Sequence, residues 1–471
     1  TTAAPPGLVG RLVMPPAPLT DGRATVAPLG IRRIEAALRE GGFTRDEVAV
    51  VPEEELPRAI GPRTCAVGIC AGEPTGHGMN STTMAGIAGG ISYPHAHFTR
   101  LMATVRACRT AAAPKAKIIL GGPGSWQLAG DAARRAALGI DHVVTGYAEG
   151  NALELFRALR LRDPLPAVIP GEAVPAEAIP PIVDGTTMGV VEISRGCGWG
   201  CAFCTLARVP MRHLPEELIV ADVQTNLRAG MADIAVLSED FFRYGAIGAS
   251  VQPERVLGLL QWLRGLHGVG LLQIDHANAR SVAGFSADEL ARVTRLLVGE
   301  TGAELPWVNM GVETASGALL RRNGGGPKMG GVMDDEWGSF CAVQLRRLIR
   351  AGFLPMVSLI LGLPGETPED VEATLRWVEG FRGEPITIFP VLYAPVDGGA
   401  PLTVRALTRR HWQLIRAAYT YNFRWIPRLY RDNQAAVGVP PWKRLLFQMM
   451  GWGQAMQWRA RFALHAGRAR G

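Results

Sequence analysis

Three of the chain's seven cysteines lie in one short stretch, 195-RGCGWGCAFC-204, at Cys197, Cys201 and Cys204. Clustered thiolates hold either a structural zinc, which needs four closed ligands, or an iron–sulfur cluster. The other cysteines are far away in the sequence, and His213 is the only nearby imidazole. A role in core packing fits poorly, because the stretch is rich in glycine and has polar flanks. The spacing therefore favours a cluster held by three thiolates, with one iron left open.

The elements that must position this loop alternate in the second half of the chain. Apolar runs there predict six strands, with helical stretches between them: 188–194, 233–238, 271–275, 307–313, 356–362 and 386–389. Six such units can form a partial barrel, whose active site lies at the carboxyl ends of the strands. The cysteine loop follows the first of these strands at that end.

The three-cysteine loop, with Phe203 before the last cysteine, resembles the radical S-adenosylmethionine (SAM) superfamily over residues 188–396. The resemblance implies a 4Fe–4S cluster on the three cysteines, an open iron that chelates SAM, and a 5′-deoxyadenosyl radical formed from SAM by one electron. It places Phe203 near the adenine. It also implies SAM contacts at three strand ends, in 238-SED-240, 311-GVETASGALL-320 and 361-LGLPGET-367. The residues concerned are Glu239, Glu313 and Gly362.

The first part of the chain predicts a separate parallel sheet. Expected strands lie at 7–13, 48–51, 64–70, 117–120 and 142–144, with helices at 27–43 and 97–109. Strands that alternate with helices indicate a doubly wound, Rossmann-like α/β sheet, which binds ligands at the carboxyl ends of its strands. Loops 14–22, 71–83 and 121–126 should lie at those ends.

This part of the chain resembles the cobalamin-binding domain that precedes the barrel in one branch of the superfamily, the methyltransferase-like class B. The markers are 117-KIILGGPGSW-126 and 146-GYAE-149; a generic nucleotide-binding sheet is the alternative. The Asp-x-His-x-x-Gly pattern that supplies an axial histidine is absent, so no histidine is expected on cobalt. The resemblance implies cobalamin contacts at Thr75, His77, Gly121, Gly122, Pro123, Gly124, Ser125, Gly146, Tyr147 and Glu149.

Composition and charge suggest four segments. These are a cobalamin-binding domain at 1–160, a Pro-rich linker at 161–187, the radical SAM barrel at 188–396, and a helical C-terminal domain at 397–471. Residues 401–471 contain thirteen Arg or Lys and one acid, a charge of +12, which leaves −5 for the rest. The odd number of cysteines and the lack of a visible signal peptide or long apolar run predict a cytoplasmic protein.

The basic tail carries two amphipathic stretches, 409–431 and 442–464. Their apolar faces are predicted at Trp412, Ile415, Tyr419, Phe423 and Ile426, and at Trp442, Leu445, Leu446, Met449, Trp452 and Met456. These faces either pack on the barrel or meet an anionic membrane surface, which Trp and Arg on amphipathic helices favour. Nucleic acid is the third alternative and is not expected, because no RNA-binding module and no second cysteine cluster are recognisable.

Together these features predict a cobalamin-dependent radical SAM methyltransferase that methylates an unactivated carbon of a small-molecule or lipid-like substrate. An external electron donor, similar to flavodoxin or ferredoxin, is then required. Two alternatives remain open: a cyclase or ring-rearranging oxidoreductase of the kind that acts on porphyrin esters, without net methylation, and a non-catalytic sensor that binds cobalamin or the cluster.

Overall fold

The computed structural model describes residues 17–436 and 439–468 and divides the chain into two units. The first unit contains the chain up to Ala85, Gly89–Val190 and Glu217–Met231; the second contains residues 86–88, Val191–Glu216 and the chain from Ala232 onward. The strand expected at 7–13 and the start of loop 14–22 lie outside the described residues.

The first unit contains a four-stranded parallel sheet in simple sequential order. Its strands are β1 (Ala66–Cys70), β2 (Lys117–Gly121), β3 (His142–Thr145) and β4 (Val168–Pro170). The strands are short apolar runs, and their side chains form a core that includes Ile118, Leu120 and Val143. The Pro-rich stretch thus provides the edge strand of the sheet. An edge strand has a neighbour on one side only, so the backbone N–H that Pro170 lacks is not needed for a second neighbour.

The strand expected at 48–51 is not formed. Among the described residues, the one backbone hydrogen bond of a strand type there is accepted by the Val50 carbonyl from the Ala24 amide at 2.9 Å. Pro52 and three glutamates follow directly, and they start a 3₁₀ turn (Glu53–Glu55) instead of extending the apolar run. The local apolar pattern was therefore too short to predict a strand.

The helices of the described chain follow the expected alternation. The longer ones are α1 (Leu29–Glu40), α2 (Met79–Ala88), α3 (Tyr93–Ala112), α4 (Ala132–Leu138), α5 (Ala152–Leu161), α6 (Glu216–Arg228), α7 (Pro253–Arg264), α8 (Ala287–Val298), α9 (Trp337–Arg350), α10 (Pro368–Glu379), α11 (Arg409–Ala436) and α12 (Pro441–Arg468). Short helical turns occur at Leu56–Ala59, Trp126–Ala129, Ala176–Ala178, Thr187–Gly189, Phe241–Arg243, Ala279–Ala283, Gly317–Leu320, Arg321–Gly325, Gly326–Met329 and Val404–Ala406. Short strand pairs involve Leu19–Thr20, Arg23–Ala24, Val26–Ala27, Gly185–Thr186, Ser194–Arg195 and Arg212–His213.

The structure forms a strand at each of the six places expected from the sequence in this part of the chain and adds one short strand, at His276–Ala277, that was not expected. In chain order they are β5 (Val190–Glu192), β6 (Ile234–Leu237), β7 (Leu272–Ile274), β8 (His276–Ala277), β9 (Trp307–Glu313), β10 (Leu354–Leu361) and β11 (Thr387–Leu392). Two sheets result, in the orders β7-β6-β5 and β8-β9-β10-β11, and only Asp275 separates β7 from β8. The neighbours from β8 to β11 are parallel. The strand order therefore follows the chain order, and all carboxyl ends from β8 onward lie at one edge.

Capping boxes fix where two helices of the second unit begin. Ser286 and Glu289 form one at α8, and Thr367 and Asp370 form another at α10. In each box the hydroxyl accepts a hydrogen bond from a free backbone amide and the acid accepts one in return. At α10 a proline also occupies the first turn, where the backbone N–H that it lacks is not needed.

Helix α11 covers the last strand of the second sheet. Asn422 is fully buried; its amide oxygen accepts from the Ile388 N–H at 2.7 Å, and its amide nitrogen donates to the Ile388 carbonyl at 2.6 Å. One side chain thus satisfies two backbone groups of an edge strand, which would otherwise need a partner. Part of the tail therefore packs on the strands of the second unit. None of the helices formed by residues 17–436 and 439–468 is both long and apolar enough to cross a bilayer.

Candidate functional site

The cysteine loop is folded by backbone hydrogen bonds that leave its thiols on the inside. The Cys197 amide donates to the Val209 carbonyl at 3.0 Å, and the Gly200 amide donates to Ala207 at 2.9 Å. Cys201 is buried and Cys197 and Cys204 are partly buried. Gly196 has φ +74°, and a Cβ there would lie 2.6 Å from the Pro210 carbonyl oxygen, so only glycine fits this turn.

A π-turn that follows β9 contacts the other side of the loop. Residues Arg321–Gly325 form this turn, and the Ala202 amide donates to the Asn323 carbonyl at 3.0 Å. The Asn323 side chain in turn donates to the carbonyls of Leu319 and Pro364. Such π-turns are rare and occur often at functional sites. The turn joins the cysteine loop to segments that follow β9 and β10.

Two guanidinium groups contact the one tryptophan of the loop. The Cζ atoms of Arg243 and Arg280 lie 4.1 Å and 5.2 Å from the Trp199 ring centroid. Arg243 also donates to the Cys197 carbonyl at 2.7 Å. Behind it, buried Asp240 accepts from Ser281 Oγ at 2.5 Å; burial raises the pKa of Asp240 to about 6, although these hydrogen bonds oppose the rise. The tryptophan therefore anchors the loop, a role that the sequence did not suggest.

The three thiols share a desolvated environment. Burial raises the pKa of Cys197 to about 12, and burial also raises the pKa of Cys201 and of Cys204. A bound cation offsets this effect, because metal binding displaces the thiol protons. No group of three or more His, Cys, Asp or Glu side chains converges on a single metal ion within the described chain. A closed zinc site needs four ligands, whereas three thiolates are the donor set of a four-iron cluster with one open iron.

Glu313, a predicted SAM contact, lies at the carboxyl end of β9 in a buried ion pair. Its Oε1 is 2.7 Å from Lys328 Nζ, and both side chains are about nine-tenths buried. Burial alone would lower the pKa of Lys328, but the charges of Glu313 and Cys201 outweigh burial and raise it. Glu313 has φ +68° where the register with β10 shifts. The structure thus brings Glu313 and a lysine that the sequence did not indicate close to the cysteines.

The structure adds a histidine and an aspartate at the junction of β7 and β8. His276 Nδ1 is 3.0 Å from Asp275 Oδ2, and Asp275 Oδ1 accepts from Asn309 Nδ2 at 3.0 Å. Burial acts to lower the pKa of His276, but the hydrogen bond and charge of Asp275, with the charges of Glu239 and Glu313, raise it overall. The signal was available, because 275-DH-276 follows an apolar strand at the edge where a barrel places its site.

Replacing Asp275 with Asn should lower the pKa of His276 by about one unit or more, because the imidazolium loses a paired carboxylate. Histidine nitrogen chemical shifts across a pH titration of the metal-free protein measure this change. The pair stabilises the protonated ring, so its contribution to stability is present below about pH 6.5 and is lost as the pH rises through the raised value.

His95, which lies in the first unit and is assigned with His95→Gln, is the matched control, and its chemical shifts should be the same in both proteins. A His276 titration that is unchanged in the Asp275→Asn protein would contradict the pairing.

The other predicted SAM contacts have different surroundings. Phe203 is buried, and Glu239 is partly buried with a pKa that burial raises and the His276 charge lowers. Gly362 has φ +76°, its amide donates to Glu366 Oε2 at 2.9 Å, and the same oxygen is 2.8 Å from His411 Nε2. The Gly362 N–H is therefore already bonded within the protein. A SAM contact there would use another atom of the 362–365 turn.

Two predicted glycines of the first unit border open space. Gly121 and Gly146 stand at the carboxyl ends of β2 and β3, and a Cβ on either would meet no atom within 4 Å. A flat cofactor can approach backbone that is bare in this way. The backbone at these two strand ends is therefore not covered by another part of the fold.

Two other predicted glycines serve loop packing. A Cβ on Gly122 would lie 2.7 Å from Cys70 Sγ, and one on Gly124 would lie 2.0 Å from the Gly72 carbonyl oxygen. The Gly124 amide donates to the Ala71 carbonyl at 2.9 Å. The 121–126 loop thus lies directly on the 71–75 loop. For these two positions the need for glycine is explained by the fold itself.

The remaining predicted contacts surround the same edge. Thr75 bonds to Gln127 through its amide and its hydroxyl, and the His77 ring meets Trp126 edge-on at 5.7 Å between centroids. The structure brings these residues to the carboxyl ends of β1 to β3, with Pro123 exposed, Tyr147 partly buried, and Ser125 and Glu149 buried.

Comparison with known families agrees with the geometry of the cysteine loop. Residues 191–378 match the radical SAM superfamily. The chain carries a radical SAM domain. Such a domain implies a 4Fe–4S cluster and SAM, and Cys197, Cys201 and Cys204 lie inside the matched region.

Curated relatives match part of the chain at low identity. The ribosomal protein uS12 methylthiotransferase RimO of Anaeromyxobacter sp. (strain Fw109-5) is 28% identical over 266 residues, which are 55% of this chain and 51% of the relative. The tRNA-2-methylthio-N(6)-dimethylallyladenosine synthase of Thermus thermophilus is 26% identical over 228 residues, 47% of this chain and 43% of the relative. The chain thus spans about half the length of the curated relatives it matches.

A solved structure is similar over a larger part of the fold. It is the radical SAM methyltransferase TsrM from Kitasatospora setae, with cobalamin and a 4Fe–4S cluster bound. The TM-score is 0.54 at 16% identity, over 79% of this chain and 74% of that chain. At this identity the similarity concerns the fold alone.

Proposed function

We propose that this protein is a cobalamin-dependent radical SAM methyltransferase that transfers a methyl group to an unactivated carbon of a small-molecule or lipid-like substrate. The observation that carries the proposal is the pair of sites: a three-cysteine loop within a radical SAM domain, and a separate parallel sheet with bare glycines at its carboxyl edge. The TsrM-like fold supports pairing these two sites in one enzyme.

In the second unit, the chain's own residues supply the donors and charges for SAM. Cys197, Cys201 and Cys204 would hold the cluster, and Arg243 and Trp199 fix the loop that presents them. Glu313 and Lys328 place opposite charges beside the thiols, where a zwitterionic amino acid group can pair with both. The cluster, when bound, supplies the electron for SAM cleavage. An external donor, similar to flavodoxin or ferredoxin, would provide that electron.

His276 would serve proton transfer to or from the substrate. Its Nδ1 is bonded to Asp275, which fixes the ring orientation and leaves Nε2 to face a ligand. The imidazole side chain is nearly half exposed although charged groups surround it, so a bound molecule can reach it. This geometry is that of a general acid or base oriented by a carboxylate.

In the first unit, the bare backbone at Gly121 and Gly146 would receive the cobalamin, with Thr75 and His77 on the neighbouring loop. When bound, cobalamin would be the carrier of the methyl group between SAM and the substrate. The missing Asp-x-His-x-x-Gly pattern supports a cobalt without a protein histidine.

Methylthio transfer is a second candidate, because the curated relatives carry that activity in their names. It needs a sulfur source besides SAM. The remaining four cysteines are Cys65, Cys70, Cys108 and Cys341, which are scattered along the sequence. A product that gains CH₂ identifies methylation, and one that gains CH₂S identifies methylthiolation. A cyclase would leave a product without either gain, and a sensor would give no turnover.

The test is anaerobic turnover with reconstituted cluster, cobalamin, SAM and a reductant, followed by mass spectrometry of candidate substrates. Methylation predicts S-adenosylhomocysteine together with a product heavier by CH₂. Turnover that is unchanged when cobalamin is omitted would contradict the proposal.

Gly121→Val should reduce cobalamin binding by about tenfold or more, because the branched side chain would fill the open space over the backbone while suiting a strand end. Gly61→Val is the matched control: it also meets no atom within 4 Å, but it precedes β1 at the opposite edge of the sheet. Equilibrium dialysis with hydroxocobalamin measures both. Equal loss in the two variants, or loss in neither, would place the cofactor elsewhere.

A further inference from the structure

The predicted apolar faces of the two tail helices differ in solvent exposure. On α11 the predicted face is covered: Trp412, Ile415 and Tyr419 are buried. On α12 the predicted face is bare, with exposed fractions of 64% at Trp442 and 64% at Met456. The exposed apolar face of α12 consists of Trp442, Leu445, Leu446, Met449, Met450, Trp452 and Met456. The sequence could not separate the two outcomes.

Helix α12 packs through its opposite side. Trp458 and Phe462 are buried there, and their rings contact Tyr419 of α11, with a Phe462–Tyr419 centroid distance of 4.7 Å. At 100° per residue, positions 458 and 462 lie opposite positions 442, 449 and 456. The helix therefore has two apolar sides, of which one already has a partner within the fold.

The exposed apolar face of α12 is long and continuous. Its members recur at three- and four-residue steps from 442 to 456, a span of about 21 Å at 1.5 Å per residue. Monomeric soluble proteins rarely leave so large a contiguous apolar patch uncovered, and such patches mark binding surfaces. The size of this exposed apolar face therefore indicates a binding surface.

The charges beside this face are all of one sign. Lys443, Arg459 and Arg461 flank it, and no acidic residue occurs between 441 and 468. The neighbouring α11 adds exposed arginines at 424, 428 and 431. A partner must therefore be apolar at the centre and anionic around it.

We propose that the exposed apolar face of α12 docks on an anionic lipid bilayer surface. The apolar side chains would enter the boundary between headgroups and acyl chains, the two tryptophans would lie at that boundary, and the basic side chains would meet the headgroup phosphates. If two copies of α12 packed face to face, the basic residues of one helix would lie against those of the other. Neither helix carries an acidic residue to pair with them, so charge repulsion disfavours a dimer. Nucleic acid offers phosphates but no apolar layer for Leu445, Leu446 and Met449.

The test is flotation of the full-length protein with vesicles of phosphatidylcholine, with and without phosphatidylglycerol. We expect binding to the phosphatidylglycerol vesicles at low salt and release at high salt, because the Debye length falls from about 10 Å at 0.1 M to about 3 Å at 1 M. The variant Leu446→Ser, Met449→Ser, Met456→Ser keeps every charge. It should lower vesicle partitioning by about tenfold or more, because it removes buried apolar area alone.

The matched control removes three apolar side chains elsewhere that are at least as exposed as a set: Ile91→Ser, Ile247→Ser, Met333→Ser. It should float like the original protein, and circular dichroism checks that both variants are folded. Absence of flotation with phosphatidylglycerol vesicles, or flotation that the α12 variant keeps, overturns the proposal. A dimer that the α12 variant dissociates, or binding to RNA without binding to vesicles, assigns the face to another partner and overturns it too. Iron content should be equal in all proteins, so failure here is distinguishable from failure of the proposed function.

Discussion

Replacing Cys197, Cys201 and Cys204 together with alanine should abolish iron binding. Anaerobic reconstitution of the original chain should yield about four irons per protein, because three thiolates and one open iron correspond to a single 4Fe–4S cluster. The triple variant retains no thiol in the loop, and SAM cleavage should disappear with the iron. Iron and sulfide analysis with the visible absorption spectrum measures the loss.

The chain provides a control with the same number of cysteines removed. Cys65, Cys70 and Cys108 lie in the first unit, and Cys65→Ala, Cys70→Ala, Cys108→Ala removes three thiols without touching the loop. This variant should keep its iron. Full iron in the loop variant would show that the cluster assignment is wrong, and loss of iron in the control would place ligands outside the loop.

The parts of this site that the sequence predicted are those encoded locally. The cysteine spacing lies within one loop, and the strand expected at 307–313 forms with those bounds because its apolar residues are bounded by a proline and a strand-end glutamate. The resemblance placed Glu313 at the end of the fourth expected strand. The rule that a barrel site lies at the carboxyl ends of its strands points equally to Asp275 and His276 at the end of the third, 271–275.

The parts that the sequence did not predict depend on distant contacts. Lys328 lies fifteen residues after Glu313, beyond a π-turn, and only the fold brings its ammonium group to the carboxylate. Arg243 and Arg280 reach Trp199 from separate segments. Likewise, the periodicity of α12 fits two apolar sides, and packing against Tyr419 selects the side with Trp458 and Phe462. Periodicity specifies that a helix is amphipathic but not which neighbour covers it.

Replacing Lys328 with methionine should reduce the free energy of unfolding of the metal-free protein by about 3–5 kcal/mol, because it leaves the Glu313 carboxylate buried without its partner. The double variant Lys328→Met, Glu313→Gln should recover much of this loss, since no charge then remains in the pocket. Urea denaturation at neutral pH of the original protein, the single variants Lys328→Met and Glu313→Gln and the double variant completes a cycle that isolates the coupling between the two residues.

Lys117→Met is the control for the substitution itself, because Lys117 pairs with Asp141 at 3.4 Å on the surface with half of its side chain exposed. An exposed pair of this kind is worth about 1 kcal/mol or less. A Lys328→Met protein as stable as the original would mean that the pair contributes nothing to the fold, and the opposite charges beside the thiols would then have to be explained by ligand binding alone.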